Sequence, residues 1–258
     1  MINTVLFDMG GTIEDLYSDQ TTMRKSIEGV ADILSRHNLM PDIGIDELRD
    51  KVHSGMARYK AYGENTCTEL KPEQIWAGYA LSDLGIDTDK IIPIAEDLAH
   101  MWELTYFNRK MRPRVPELLE GLRSLGMRMG VISNTASLFQ VFDTLEEYNI
   151  RSYFEDVTLS SIVGYRKPHP NIFRISLHQM KVRPETCVYV GDTLSRDIIG
   201  PKNVGFGMTM MIHSFLTASR DVKCVGLVEP DYVLDDIFDV YTILKSQDSA
   251  SCVENPAV

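Results

Sequence analysis

Six short apolar runs of strand-favouring residues, Thr4–Phe7, Met129–Ile132, Val157–Leu159, Cys187–Val190, Met208–Ile212 and Tyr232–Leu234, constrain the fold more than any other feature of the chain. Segments of helical periodicity lie between the later ones. Pro116–Leu125 is the clearest: it opens with proline, sets Leu118, Leu119, Leu122 and Leu125 on one face and stops at Gly126. Strands alternating with helices pair in parallel, in a sheet covered on both faces. The expectation is an α/β fold with a three-layer, Rossmann-like parallel-sheet core.

From about Leu16 to Asn108 this rhythm stops. Helical patterns and breakers (Pro41, Gly44, Gly63, Pro72, Gly85, Pro93) occur there, together with both tryptophans, Trp76 and Trp102, but no convincing strand. The pattern predicts a mostly α-helical module (16–108) inserted after the first strand, and a core made of 1–15 and 109–245. Trp76 and Trp102 are expected to fill the inserted module, as Met127 and Met129 fill the core. Residues 246–258 lack periodicity and are expected to form an unstructured tail.

Composition narrows the partners. A net formal charge of −11 without any basic stripe argues against nucleic acid and anionic membranes. No run of about 18 apolar residues exists, and MINTVLFD has neither a basic leader nor a small-residue cleavage site, so a soluble protein is expected. Cys67, Cys187, Cys224 and Cys252 make no C-x-x-C and no disulfide framework, which points to a reducing, cytoplasmic setting, with Cys187 as buried strand filler. Oligomeric state is open.

Four strand ends carry groups suited to chemistry. Val5 to Phe7 runs into Asp8, Gly10, Gly11 and Thr12, where a carboxylate meets a glycine turn able to face backbone N–H groups toward an anion. Ser133, Asn134 and Thr135 follow the second strand, as a hydroxyl for a phosphate oxygen or a plain helix cap. Lys167 sits in Arg166-Lys167-Pro168-His169-Pro170, a loop stiffened by prolines. Asp192 and Asp197 stand across a turn after Val188–Gly191, and hard cations such as Mg²⁺ take one or two such carboxylates. Each is ambiguous alone, since aspartates also cap turns and lysines are usually solvated.

The ordered set resembles the haloacid dehalogenase superfamily, whose phosphotransferase members carry D-x-D-x-T, a strand ending in Ser/Thr, a Lys within R-K-P and G-D-x-x-x-x-D. The likeness spans about Val5 to Leu234, with the helical insertion where that family places its cap. It implies that Asp8 is a nucleophile forming an aspartyl-phosphate, and that Mg²⁺ is held by Asp8, the carbonyl of Gly10 and Asp192. Asp197 would bind the metal or orient its waters. It further implies that Gly11, Thr12, Ser133, Asn134 and Lys167 hold phosphoryl oxygens, and that Tyr17, Arg58, Tyr59, Lys60 and Tyr62 of the cap supply selectivity.

The chain departs from the pattern at Gly10, where such phosphatases carry a second Asp as general acid and base, a function typically worth about 10²- to 10⁴-fold. Glu14 and Asp15, just beyond the loop, are the candidate replacements; otherwise the leaving group must need little protonation, as in acyl or aryl phosphates. Three readings stand open. They are a Mg²⁺-dependent phosphomonoester hydrolase acting on a small phosphorylated metabolite, a carbon–phosphorus hydrolase using Lys51 or Lys60 beside His53 and Tyr59 as a Schiff base, and a catalytically weakened phosphate- and metal-binding regulatory module. Dehalogenases of the family fit less well, because they place a bulky aromatic at position 10 and need no metal acids.

Overall fold

The computed structural model describes residues 1–221, 224 and 226–253. Among them, eight strands form: β1 (Thr4–Phe7), β2 (Glu14–Tyr17), β3 (Asn108–Met111), β4 (Arg128–Ser133), β5 (Asp156–Leu159), β6 (Cys187–Gly191), β7 (Met208–Ile212) and β8 (Tyr232–Leu234). Six pair in parallel as one sheet in the order β5-β4-β1-β6-β7-β8. All six expected strands are present, with β4, β5 and β6 slightly longer than the apolar runs that announce them.

The sheet is buried on both faces because its strands alternate between two apolar cores. Val5, Phe7, Val131, Val188 and Val190 face the helix Val115–Ser124, with its Leu118, Leu119 and Leu122, and the C-terminal helix with Val240 and Leu244. Leu6, Ile132, Cys187 and Tyr189 face the other way, onto Ile172, Phe173 and Leu177 of the helix Pro170–Met180. Each such side chain contributes roughly 1.5–3 kcal/mol on burial, which is what makes continuous apolar strands stable here. The chain leaves β1 toward one edge and β6 toward the other, so a crevice opens at the carboxyl ends of these neighbours.

Between β2 and β3 stands the helical insertion, built mainly on Gln20–Arg36, Ile45–Thr66 and Ala95–Thr105. It has its own core of Ile27, Val30, Leu34, Val52, Leu98 and both tryptophans, whose rings meet edge to face at 5.9 Å. Asp19 caps the first helix, its carboxylate accepting from the N–H groups of Thr21 at 2.8 Å and Thr22 at 2.9 Å.

Two expectations are corrected. The stretch from Leu16 to Asn108 is entered and left through strands, since β2 and β3 pair antiparallel in a separate ribbon with Leu16 opposite Arg109. Their sequences, Glu14-Asp15-Leu16-Tyr17 and Asn108-Arg109-Lys110-Met111, are charged and short, and an inward-facing Glu14 breaks the apolar alternation that marks a strand. The expected tail is also shorter, because the helix Asp239–Val253 continues through residues 246–253; residues 254–258 lie outside the described residues. The insertion is pinned to the core a second time: Glu69 N–H donates to Gly164 O at 3.0 Å, Arg166 N–H to Cys67 O at 2.9 Å, and Lys71 Nζ to Ser161 O at 2.8 Å.

No described helix is long and apolar enough to cross a membrane. Cys67, Cys187 and Cys224 are free thiols, and Cys187 is fully buried.

Candidate active site

Asp8 ends β1 and its N–H donates to Val190 O of β6 at 2.9 Å, so the carboxylate is set at the floor of the crevice by the sheet itself. Lys167 Nζ lies 2.6 Å from Asp8 Oδ1, 2.7 Å from Asp197 Oδ1 and 3.0 Å from the Tyr189 hydroxyl. All three ammonium protons thus have acceptors. Asp192, which follows β6, receives the Ser214 hydroxyl on Oδ2 at 2.5 Å. Ligand oxygens of Asp8, Asp192 and Asp197 lie within 4.8 Å of one another, and all three residues are buried.

Glycines make this convergence possible. Gly11 has φ +96°, and a Cβ there would stand 2.2 Å from Asp192 Oδ2. At Gly191 a Cβ would stand 2.2 Å from that of Asp197, so only glycine lets the second acid fold back under β6.

Three buried carboxylates against one lysine leave negative charge in a desolvated place. Burial pushes the Asp8 carboxyl up to about 6, Lys167 opposing and Asp197 adding to the shift. Asp192 is held well above the usual carboxylate range by burial and by the charges of Asp197 and Asp8. Burial works against the Lys167 ammonium, yet Asp197 and Asp8 keep its pKa above the ordinary value. A divalent ion is what this donor set fits, because hard cations take carboxylate oxygens and would relieve the repulsion. Side-chain hydrogen bonds engage one oxygen of each carboxylate, Asp8 Oδ1 by Lys167 and Asp192 Oδ2 by Ser214, and among the described residues the carbonyl of Gly10 accepts no backbone bond. Asp197 is different: Lys167 holds Oδ1, while Thr193 Oγ1 at 2.7 Å and Thr193 N at 3.2 Å hold Oδ2. Both of its carboxylate oxygens are thus engaged within the protein.

The residues expected on the phosphoryl group divide. Ser133, at the end of β4, lines the cleft with Asp8, Met9, Gly10, Lys167 and Asp192. Asn134 lines it too, but its side chain is engaged with Lys167, accepting the N–H at 2.8 Å and donating to the carbonyl at 3.1 Å. Gly11 donates its N–H to Glu14 O at 2.8 Å, so that amide is not free for an anion. Thr12 is fully buried away from the cleft, with Oγ1 unpartnered. The N–H of Gly10, which finds no backbone acceptor among the described residues, is better placed, whereas that of Met9 bonds the Asp8 carboxylate.

Neither expected replacement acid lines the cleft. Glu14 is fully buried, with Oε2 2.9 Å from Arg109 Nη1 and Oε1 accepting the Tyr148 hydroxyl at 3.0 Å. Asp15 is exposed and paired with Arg112 at 2.8 Å. Position 10 itself is crowded: a Cβ on Gly10 would lie 2.9 Å from Leu16 Cδ2 and 3.5 Å from Arg109 Nη1.

The cleft, of about 1070 Å³, is closed on the insertion side by His53, Tyr59, Lys60, Trp102, Tyr106 and Arg109. Of the expected selectivity residues, Tyr59 and Lys60 reach it, whereas Tyr17, Arg58 and Tyr62 do not. Tyr59 is held by Glu69, which is also bonded by Arg166 and by Ser160 at 2.6 Å, a buried network that ties the insertion to the Lys167 loop. Lys51 bonds the Asp83 carbonyl at 3.1 Å outside the cleft, and Lys60 is an exposed rim residue 4.0 Å from Glu64. Neither is the desolvated amine that Schiff-base chemistry needs.

Sequence reasoning missed Tyr189, Thr193 and Ser214, which hold the charged groups, and Arg220, which lines the cleft from the segment after β7. Only the proximity of Thr193 to the acid pair was a signal. The others lie in an apolar strand or in a remote loop.

A family model described as haloacid dehalogenase-like hydrolase matches residues 2–205. A glyceraldehyde 3-phosphate phosphatase of Methanothermobacter thermautotrophicus is 35% identical over 147 residues, covering 55% of this chain and 64% of that protein. A Pyrococcus furiosus protein of the same description is 28% identical, covering 96% of this chain and 95% of its own length. In fold, the chain resembles a 2-haloacid dehalogenase of Pseudomonas syringae pv. Tomato with a TM-score of 0.65 at 19% identity, over 96% of this chain and 100% of that one. With a family match across most of its length and strand-end acids converging in the sheet crevice, the chain belongs to the haloacid dehalogenase-like hydrolases.

Proposed function

We propose that this hydrolase is a phosphatase that cleaves the phosphate monoester of a small metabolite, with Asp8 as nucleophile and Mg²⁺ as cofactor. The observation that carries the reading is the Asp8 carboxylate, 2.6 Å from Lys167 Nζ and within one cluster with Asp192 and Asp197. A carboxylate that only had to displace halide from carbon would gain nothing from two more buried acids beside it. The relatives named for glyceraldehyde 3-phosphate support a phosphorylated metabolite and make that triose phosphate the first ester to assay.

In this reading Asp8 attacks phosphorus in line with the leaving oxygen, which therefore faces the insertion, and water then hydrolyses the aspartyl-phosphate. Lys167, fixed by Asp197 and Tyr189, keeps Asp8 ionised and oriented, while Ser133 and the amide of Gly10 meet the phosphoryl oxygens. Mg²⁺, held by Asp8, the Gly10 carbonyl and Asp192, would supply charge neutralisation for the approach of carboxylate to phosphate. With Glu14 bound by Arg109 and Tyr148 and Asp15 outside the cleft, neither expected replacement acid stands beside the leaving oxygen. Esters with good leaving groups are accordingly the preferred substrates.

The test is turnover of an aryl phosphate, an acyl phosphate and glyceraldehyde 3-phosphate, with and without Mg²⁺, by the wild type and by Asp8→Asn. Metal-dependent phosphate release lost in the variant supports the reading. No turnover of any of the three by a protein that binds Mg²⁺ would leave only a binding module.

A further inference from the structure

Arg220 closes the short helix Thr217–Arg220 after β7 and lines the cleft. Its Nη1 is buried and has no hydrogen-bond partner. Leaving such a donor unsatisfied costs about 1–3 kcal/mol, more for a charged group, so this half-buried guanidinium, with one nitrogen unpartnered in the cleft wall, suits an anionic ligand. The other cleft cations all have carboxylates within 4.0 Å: Lys167 has Asp8 and Asp197, Arg166 has Glu69, Arg109 has Glu14 and Glu103, and Arg196 and Lys60 share Glu64. Among the described residues lining the cleft, Arg220 is the cation with no such pair.

Its placement is built rather than incidental. On one side, Ser214 Oγ bonds Asp192 Oδ2 at 2.5 Å and Thr217 Oγ1 bonds the Asp192 carbonyl at 2.7 Å, docking the segment onto the metal end of the site. On the other, the buried Asp221 accepts from the N–H groups of Leu194 at 2.7 Å and Ser195 at 3.0 Å, fixing the segment to the turn that carries Asp197. Burial lowers the Arg220 pKa, Arg166 adding to the shift and Asp192, Glu64 and Asp8 opposing it, and Arg220 lines the same cleft as Asp8 and Asp192. Lys167 meanwhile has no proton left over for substrate.

We infer that Arg220 is the cationic clamp on the non-bridging oxygens of the substrate's phosphoryl group, a binding residue outside the four strand-end motifs. A guanidinium presents a rigid fork of donors that matches phosphate oxygens, and as a fixed positive charge it would stabilise the transferring group. The inference rests on the phosphatase reading for its substrate, but its test does not.

The test is calorimetric binding of inorganic phosphate in the presence of Mg²⁺ to wild type, Arg220→Gln and Arg220→Lys, together with kcat/KM on an aryl phosphate and on a phosphorylated carboxylate such as a phosphoglycerate. Arg220→Gln should weaken phosphate binding about 10- to 100-fold and lower kcat/KM on both esters alike, with Arg220→Lys in between. Should Arg220→Gln fail to fold, the lysine variant alone carries the comparison, because it keeps the charge and loses the fork. Unchanged phosphate affinity, or a loss confined to the ester that bears a carboxylate, would overturn the assignment. A wild type that binds phosphate yet hydrolyses no ester would instead sink the phosphatase reading and leave the clamp standing.

Discussion

Gly11→Ala isolates the geometry on which the site depends. The residue has φ +96°, a left-handed conformation that costs an L-residue roughly 1–2 kcal/mol, and its new methyl would lie 2.2 Å from Asp192 Oδ2 and 3.1 Å from Ser214 Oγ. That carboxylate cannot swing away freely, because Ser214 holds it at 2.5 Å and the residue is buried. Overpacking of this kind adds about 1–3 kcal/mol. At roughly 2–4 °C per kcal/mol for a chain of this size, the melting temperature should fall by about 5–15 °C, and Mg²⁺ affinity should fall with it. Gly78→Ala is the matched control: it lies in the helical turn Trp76–Ala80, meets no heavy atom within 4 Å, and should raise stability by about 0.5–1 kcal/mol. Calorimetric melts with and without Mg²⁺ measure both. If Gly11→Ala melts within about 1 °C of wild type and binds Mg²⁺ as tightly, the close approach of the first turn to Asp192 is not what holds the site.

Proton linkage gives a second test. The unfolded chain releases the Asp8 proton near 3.8 and the fold retains it to about 6, so the metal-free fold loses stability as pH rises through that window. Mg²⁺ needs the ionised carboxylates, so its thermal stabilisation should be large at pH 7.5 and shrink as pH falls through about 6; an equal shift at pH 5 would refute the metal assignment. Glu14→Gln should destabilise by about 1–3 kcal/mol, since it weakens a buried pair with Arg109, while leaving the ratio of aryl to alkyl phosphate turnover unchanged. A selective loss on alkyl phosphates would make Glu14 the leaving-group acid after all.

The sheet was legible in sequence because its signal is local: a buried parallel strand is a continuous apolar run, and three of the six, Thr4–Phe7, Met208–Ile212 and Tyr232–Leu234, both begin and end with their apolar runs. The β2–β3 ribbon was not, since its partners lie some ninety residues apart and are stabilised by pairing and by the Glu14–Arg109 contact rather than by apolar alternation. The same division runs through the site. Asp8, Lys167 and Asp192 announce themselves by following strands into glycine or proline turns. Tyr189 was hidden inside an apolar strand, and Ser214 and Arg220 come from the segment after β7, which only the folded chain docks onto Asp192 through Ser214 and Thr217. The roles given to Thr12 and Asn134 came from the family resemblance and that of Glu14 from its place just beyond the loop, and neither tells that Thr12 is buried off the cleft or that the protein itself engages Asn134 and Glu14.

The claim beneath all of this is that Asp8 makes the bond to phosphorus. Acid quenching during aryl phosphate turnover, followed by peptide mass analysis, tests it directly. The account predicts a phosphoryl group on the peptide containing Asp8, lost in Asp8→Asn. Turnover with the label on another residue, or undiminished turnover in Asp8→Asn, would contradict it.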